Sequence, residues 1–168
     1  MAKMVISMIA AMDKNNAIGF NNELLWHLPD DFKWFKEKTK DKAMVMGRNT
    51  MVSLGKPLKN RLNIVLSSST ANIPEGFVHA YNYEEALTLI PPTTEELMII
   101  GGGKIYDSLL HLTTRLYITR VHHIWPDADT FFPQWDLQEW ELTYTEQHPM
   151  DERHLYAFDF EIWERVSV

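Results

Sequence analysis

Ile99-Ile100-Gly101-Gly102-Gly103-Lys104-Ile105-Tyr106 is an apolar run that breaks into three consecutive glycines and continues into a segment able to form a helix. A strand that feeds a helix through so tight a junction is the repeating unit of an α/β domain. Absent side chains let the backbone approach a ligand, and unsatisfied N–H groups at a helix start favour an anion such as pyrophosphate. A tight turn needing positive φ would explain the glycines as well, because the full dinucleotide fingerprint is missing.

Further short apolar runs lie on either side of this junction: Val5 to Met12, Ala43 to Met46, Asn63 to Leu66, Leu97 to Ile100 and Leu116 to Val121. Several are apolar throughout, as strands covered on both faces are. Between them fall helical stretches at Asp31 to Thr39, Arg48 to Leu54, Glu84 to Leu89 and Lys104 to Leu110, with Asn82 and Glu85 spaced as a capping box for the third. The end of the chain changes period. Trp140, Leu142 and Tyr144 alternate, as do Tyr156, Phe158, Phe160 and Ile162, across a polar turn from Glu146 to Arg153. The predicted fold is a three-layer α/β domain: a central mostly parallel sheet, helices on both faces, right-handed crossovers and an antiparallel C-terminal hairpin. No repeat, low-complexity tract or linker divides the chain, so residues 1–168 are expected to form a single domain.

Composition narrows the function. With 16 Lys and Arg against 23 Asp and Glu, the net charge of −7 lacks the clustered basic surface that a nucleic-acid partner requires. Without cysteine there is no disulfide scaffold and no thiolate metal site. The apolar start, Met4 to Ala11, is too short to span a bilayer and lacks a small-residue cleavage pattern, so a cytoplasmic protein with no membrane partner is expected. The nine methionines read as core filling and Glu95-Glu96 as a solvated loop. No metal is expected at His122-His123, since neighbours on a strand point to opposite faces.

In an open α/β sheet, ligands bind beyond the carboxyl ends of the strands. Besides the triple glycine, two other junctions stand out there. In Met46-Gly47-Arg48-Asn49-Thr50 an arginine opens a helix, unfavourable for the dipole unless an anion joins it; a solvated surface cation is the alternative. In Leu24-Leu25-Trp26-His27-Leu28-Pro29-Asp30-Asp31-Phe32-Lys33-Trp34-Phe35 both aspartates suit a helix start. Leu28, Phe32 and Phe35, flanked by Trp26 and Trp34, form an apolar wall one turn from Asp31, so Asp31 should face the wall and Asp30 should cap.

The motifs W-x-L-P-x-D, M-G-R-x-T, P-L-x-x-R-x-N-I-V-L-S and I-G-G-G-x-x-Y, together with Asp129-Thr130-Phe131-Phe132-Pro133, occur in this order along nearly the whole chain. In this the chain resembles dihydrofolate reductase. The resemblance implies NADPH-dependent reduction of 7,8-dihydrofolate to tetrahydrofolate for one-carbon metabolism, by a cytoplasmic, monomeric enzyme open to antifolate inhibitors. It assigns catalysis to Asp31, Trp26 and Thr119, with Asp31 gripping the amidine-like edge of the pterin and Thr119 joining that network. Ile9, Phe32, Phe35, Leu54 and Leu58 would line the pterin and aminobenzoyl slots; Arg61 would take the substrate's glutamate carboxylate, with Lys56 where a second arginine is common. NADPH contacts are implied at Ala11, at Ala17, Ile18, Gly19, Phe20, Asn21 and Asn22, and at Gly47, Arg48, Asn49 and Thr50. Further contacts fall at Ser67, Ser68, Ile100, Gly101, Gly102, Gly103, Lys104, Ile105, Tyr106 and Thr130, with Arg48 and Ser68 selecting the 2′-phosphate.

The chain departs from the family pattern at three of these places. Leu25 stands where proline usually precedes Trp26, Phe32 replaces a smaller apolar residue, and Asn49 occupies a position often basic or aromatic. The loop from Asp13 to Leu25, which resembles the family's lid, loses a fixed φ at Leu25, and with Phe32 this points to poor binding of diaminopyrimidine antifolates such as trimethoprim. Two other functions suit the glycine junctions: a reductase of riboflavin synthesis and a non-catalytic nucleotide-binding module.

Overall fold

The computed structural model describes residues 4–20 and 25–166. In chain order they form β1 (Val5–Met12), β2 (Ala17–Gly19), α1 (Pro29–Thr39), β3 (Ala43–Gly47), α2 (Arg48–Leu54), β4 (Leu62–Leu66), β5 (Phe77–Ala80), α3 (Tyr83–Leu89), β6 (Glu96–Ile99), α4 (Gly103–Leu109), β7 (Arg115–Val121), β8 (Thr130–Phe131), β9 (Trp140–His148) and β10 (Phe158–Arg165). Eight strands make one sheet in the order β5-β4-β3-β6-β1-β7-β10-β9, while β2 and β8 pair separately. From β5 through β7 every pairing is parallel; β10 and β9 add the antiparallel hairpin at one edge. The predicted architecture is thus present, with β2, β5 and β8 as additions.

The strand parity sorts side chains onto two cores. Met8, Val45, Leu116 and Ile118 face a cluster completed by Tyr83 and Ala86 of α3 and Tyr106 and Leu109 of α4. Ile9, Met44, Met46, Tyr117 and Val121 face the other, with Leu28, Trp34 of α1 and Met51 of α2. Because successive strand residues point to opposite sides, Thr119 shares the face of Tyr117 and Val121, the face that α1 covers. Trp34 anchors α1 by stacking flat on Phe160 of the hairpin, ring centres 4.2 Å apart and 6° from parallel. It therefore leaves the apolar wall beside Asp31, where the sequence had placed it, and becomes core.

Helix ends follow local chemistry. Pro29 opens α1 where its missing N–H goes unused, Asn82 accepts the Glu85 N–H at the start of α3 as the capping-box spacing predicts, and Gly55, at φ 73°, ends α2. Six methionines, Met8, Met12, Met44, Met46, Met51 and Met98, are buried as expected of gap-filling side chains.

Candidate active site

β3 and β6 are neighbours, so the two glycine junctions lie side by side: Gly47 N–H donates to the Gly101 carbonyl at 2.7 Å, and Ile100 N–H to the Val45 carbonyl. At Gly101, Gly103 and Gly47 the surroundings are tight. Gly101 has φ 116°, and a Cβ there would meet Tyr106 Oη at 3.1 Å; a Cβ on Gly103 would meet Thr130 Cγ2 at 2.8 Å, and one on Gly47 would meet Ile105 Cγ1 at 3.1 Å. A Cβ on Gly102 would lie 3.6 Å from Thr50 Oγ1. Gly19 of β2 pairs with Thr130, which brings β2 to the same point. Tyr106 is buried beneath this loop and donates to the Ile9 carbonyl at 2.6 Å; burial, and then the nearby Asp31 carboxyl, push its phenol upward.

Arg48 is held by three acceptors, Ser67 Oγ at 3.1 Å and the carbonyls of Ser69 and Ala71 at 2.7 Å each, which leaves two of its five N–H groups. Ser67 is thus its serine partner, whereas Ser68, Asn49 and Lys104 are exposed. Ala11 lies in β1 and Ala17 and Ile18 in β2, with Phe20 just after it, while Asn21 and Asn22 lie outside the described residues.

On another side of the sheet's carboxyl end, α1 brings Asp31 to the end of β7, where Thr119 Oγ1 donates to Asp31 Oδ1 at 2.5 Å. Part of the residue's surface remains accessible, yet surrounding protein strips enough water from the carboxyl to raise its pKa from 3.8 to about 6, against the lowering effect of the Thr119 hydrogen bond. Ile9 is buried on the same side; Phe35, Leu54 and Leu58 pack partly exposed against it, and Phe32, 52% exposed, stacks on Phe35. Trp26 is half-buried and meets Trp125 edge-on at 6.2 Å. Arg61 is oriented by Thr39 Oγ1 at 2.9 Å and by the carbonyls of Lys36 and Lys59, again with two N–H groups to spare; Lys56 is exposed.

Several sequence expectations change here. Asp30 does not cap α1: its carboxylate pairs with Arg153 at 3.1 Å, and the helix has no side-chain bond from its N-cap residue, Leu28. Glu96 is not in a solvated loop but in β6, where it accepts from Ser7, Lys42 and Tyr117. His122 and His123 follow β7 rather than belonging to it; His122 pairs with Asp159, and His123 packs on Trp125 and Tyr156. Among the described residues no cluster of side chains could hold a metal ion. The sequence offers no warning of Asp13, whose buried carboxylate accepts N–H groups from Asn15, Ala17 and Trp125 and so ties the turn before β2 to the segment after β7. The Asn-rich stretch behind it is the only hint of such a turn.

A family model described as dihydrofolate reductase matches residues 5–165. The chain belongs to the dihydrofolate reductase family. Dihydrofolate reductase of Bacillus subtilis is 38% identical over 163 residues, covering 97% of this chain and 96% of its own. The type 3 dihydrofolate reductase of Salmonella typhimurium is 41% identical, covering 94% and 96%. Among solved structures, Enterococcus faecalis dihydrofolate reductase complexed with NADP(H) and RAB-propyl superposes with a TM-score of 0.88 at 36% identity, covering 97% of both chains.

Proposed function

We propose that Asp31 is the acid that anchors the pterin and drives protonation of its imine nitrogen, with Thr119 holding the carboxyl in place. The activity is NADPH-dependent reduction of 7,8-dihydrofolate to tetrahydrofolate, which supplies one-carbon metabolism. The observation that carries the residue assignment is the desolvated Asp31 carboxyl, which among the described residues is bonded by Thr119 alone, at the carboxyl end of β7. A reductase of riboflavin synthesis or a nucleotide-binding module would have no use for that pair.

Asp31 at about pKa 6 is half protonated near pH 6 and keeps about a tenth of its acid form at pH 7. It grips one edge of the ring, so the proton for the imine nitrogen on the opposite edge travels through a water beside Trp26, and Asp31 polarises the ring and sustains that water. NADPH, when bound, supplies the hydride. The two glycine junctions, side by side at the carboxyl ends of β3 and β6, would take its pyrophosphate, and the two remaining N–H groups of Arg48 suit its 2′-phosphate. The corresponding pair on Arg61 suits the substrate's glutamate carboxylate, with Lys56 adding charge. Ile9, Phe32, Phe35, Leu54 and Leu58 exclude water from the ring face.

The reading extends to a single-domain, monomeric, cytoplasmic enzyme without a nucleic-acid partner; no helix of the described residues is long and apolar enough to cross a membrane. It also holds that Leu25 and Phe32 weaken diaminopyrimidine antifolates, which ordinary tight inhibition by trimethoprim would refute. The central test is Asp31→Asn: dihydrofolate turnover should collapse at neutral pH and partly return in acid, where free substrate protonates itself. Unchanged neutral turnover would remove Asp31 from the mechanism.

A further inference from the structure

The first turn of α1 contains one backbone donor with no partner in its own helix. Pro29 has no N–H, and the N–H groups of Asp31 and Phe32 both reach the Leu28 carbonyl, at 3.0 and 3.2 Å. That leaves Asp30, immediately before Asp31. Leu28, at the N-cap position, has no side chain to serve it. The partner comes from 124 residues away: Asp30 N–H donates to His154 Nε2 at 3.1 Å.

His154 sits in the connection between β9 and β10 and is 1% exposed, with its ring packed against Phe158 at 5.1 Å. Its position is fixed by its own turn. Asp151 and His154 exchange two backbone hydrogen bonds, and Asp151 Oδ1 lies 2.8 Å from His154 Nδ1. An Nε2 that accepts an N–H carries no proton, so Nδ1 bears the hydrogen and gives it to Asp151. The charged groups around the ring are Asp30, Asp151 and, through its pair with Asp30, Arg153. The Asp30 carboxylate stands 3.9 Å from Nε2, too far for a hydrogen bond, whereas the backbone nitrogen is within range.

We infer that His154, as a neutral imidazole, is a positioning residue for catalysis: it caps the substrate helix from the C-terminal hairpin and so fixes where Asp31 stands against Thr119. The inference rests on the role given to Asp31 above. An uncapped first turn frays, and a frayed turn lets water reach the carboxyl next in sequence, which would weaken the desolvation that sets its acidity.

Two measurements test it. Nitrogen-detected NMR of the intact wild-type protein at pH 7 should find His154 with Nδ1 protonated and Nε2 bare; a proton on Nε2, alone or with one on Nδ1, would overturn the cap. His154→Leu should lower kcat at pH 7 about five- to ten-fold, the scale of a lost cap, and move the limb on which the rate falls with rising pH to below about 6. His154→Asn, which keeps an acceptor, should restore most of both. A wild-type pH profile in a folded His154→Leu protein, even one with a lower Tm, would show a structural role only and sink the proposal. Should His154→Leu not fold, His154→Asn decides: a wild-type profile supports the cap and a displaced one refutes it. Failure of the Asp31 reading would show separately, as unchanged neutral turnover in Asp31→Asn, because the ring-nitrogen states are read without any turnover.

Discussion

Asp31 and Glu96 are both partly buried carboxyls at opposite ends of the same sheet, and burial alone would raise the pKa of each. Asp31 has one neutral donor, Thr119, and ends at about 6. Glu96 receives hydrogen bonds from Lys42, Ser7 and Tyr117, with Arg115 beside it at 3.4 Å, and these outweigh desolvation and hold it below the usual carboxylate range. Partners, rather than depth, decide which carboxyl can work as an acid. A 730 Å³ cleft lined by Glu96, Lys42 and Arg115 opens at the Glu96 end, yet the carboxylate there is already satisfied, so volume does not mark the chemistry.

The sharpest way to break the contrast is to neutralise Asp31. Neutral-pH turnover of Asp31→Asn should fall on the order of 100-fold or more, the scale of general acid catalysis, as steady-state kinetics from pH 5 to 9 would show; no comparable loss is expected of Glu96→Gln.

Stability should then move in opposite directions. A carboxyl whose folded pKa is raised contributes stability below its unfolded value and loses it as pH rises through the folded one. For Asp31 that window runs from 3.8 to about 6, so Asp31→Asn should make the ligand-free protein more stable above pH 6 by about 2–3 kcal/mol, at about 1.4 kcal/mol per unit, with no gain below pH 4. Glu96 has a lowered pKa, and its contribution is present above the unfolded value and fades as pH falls through the folded one. Glu96→Gln should therefore lose about 1–2 kcal/mol at neutral pH, discounted for its partly exposed cations, and the deficit should shrink in acid. Urea titrations at pH 4, 5, 6 and 7 read both trends.

A smaller effect belongs to Thr119→Val. Loss of the one hydrogen bond that opposes desolvation should raise the Asp31 pKa above about 6, with kcat/KM down about ten-fold, as for a hydrogen bond to a charged group. A pH–rate profile displaced to lower pH would contradict this. The smallest change is expected of Lys42→Met, which removes one cation, 28% exposed, from Glu96. It should lower stability by less than about 1 kcal/mol in thermal unfolding and leave kcat unaltered.

Much of this contrast was legible in the sequence at one end only. The parallel strands β1, β3, β4, β6 and β7 announce themselves because runs such as Ala43 to Met46 are apolar on both faces, whereas β2 and β8 have three and two residues and β5 includes His79, too little for a period to register. Asp31 separates from Asp30 by its distance from Phe35, but its bond to Thr119 spans 88 residues and depends on sheet register. Glu96 reads as solvated because Ser7, Lys42 and Tyr117 lie 89, 54 and 21 residues away. His154 gave no local sign at all, since the donor it serves is at the far end of the chain.

The placement of Thr119 depends on counting. Tyr117, Thr119 and Val121 share one side of β7, and Arg120, on the other, donates to the Asp13 carbonyl and to Asn16. One residue deleted between Leu116 and Thr119 would exchange those sides, handing Asp31 a guanidinium in place of a hydroxyl and breaking the tie from Arg120 to Asp13 and Asn16. Length in this strand is consequently under the same constraint as the identity of the acid itself, while the exposed residues 149 and 150 can vary in number without disturbing the spacing of Asp151 and His154.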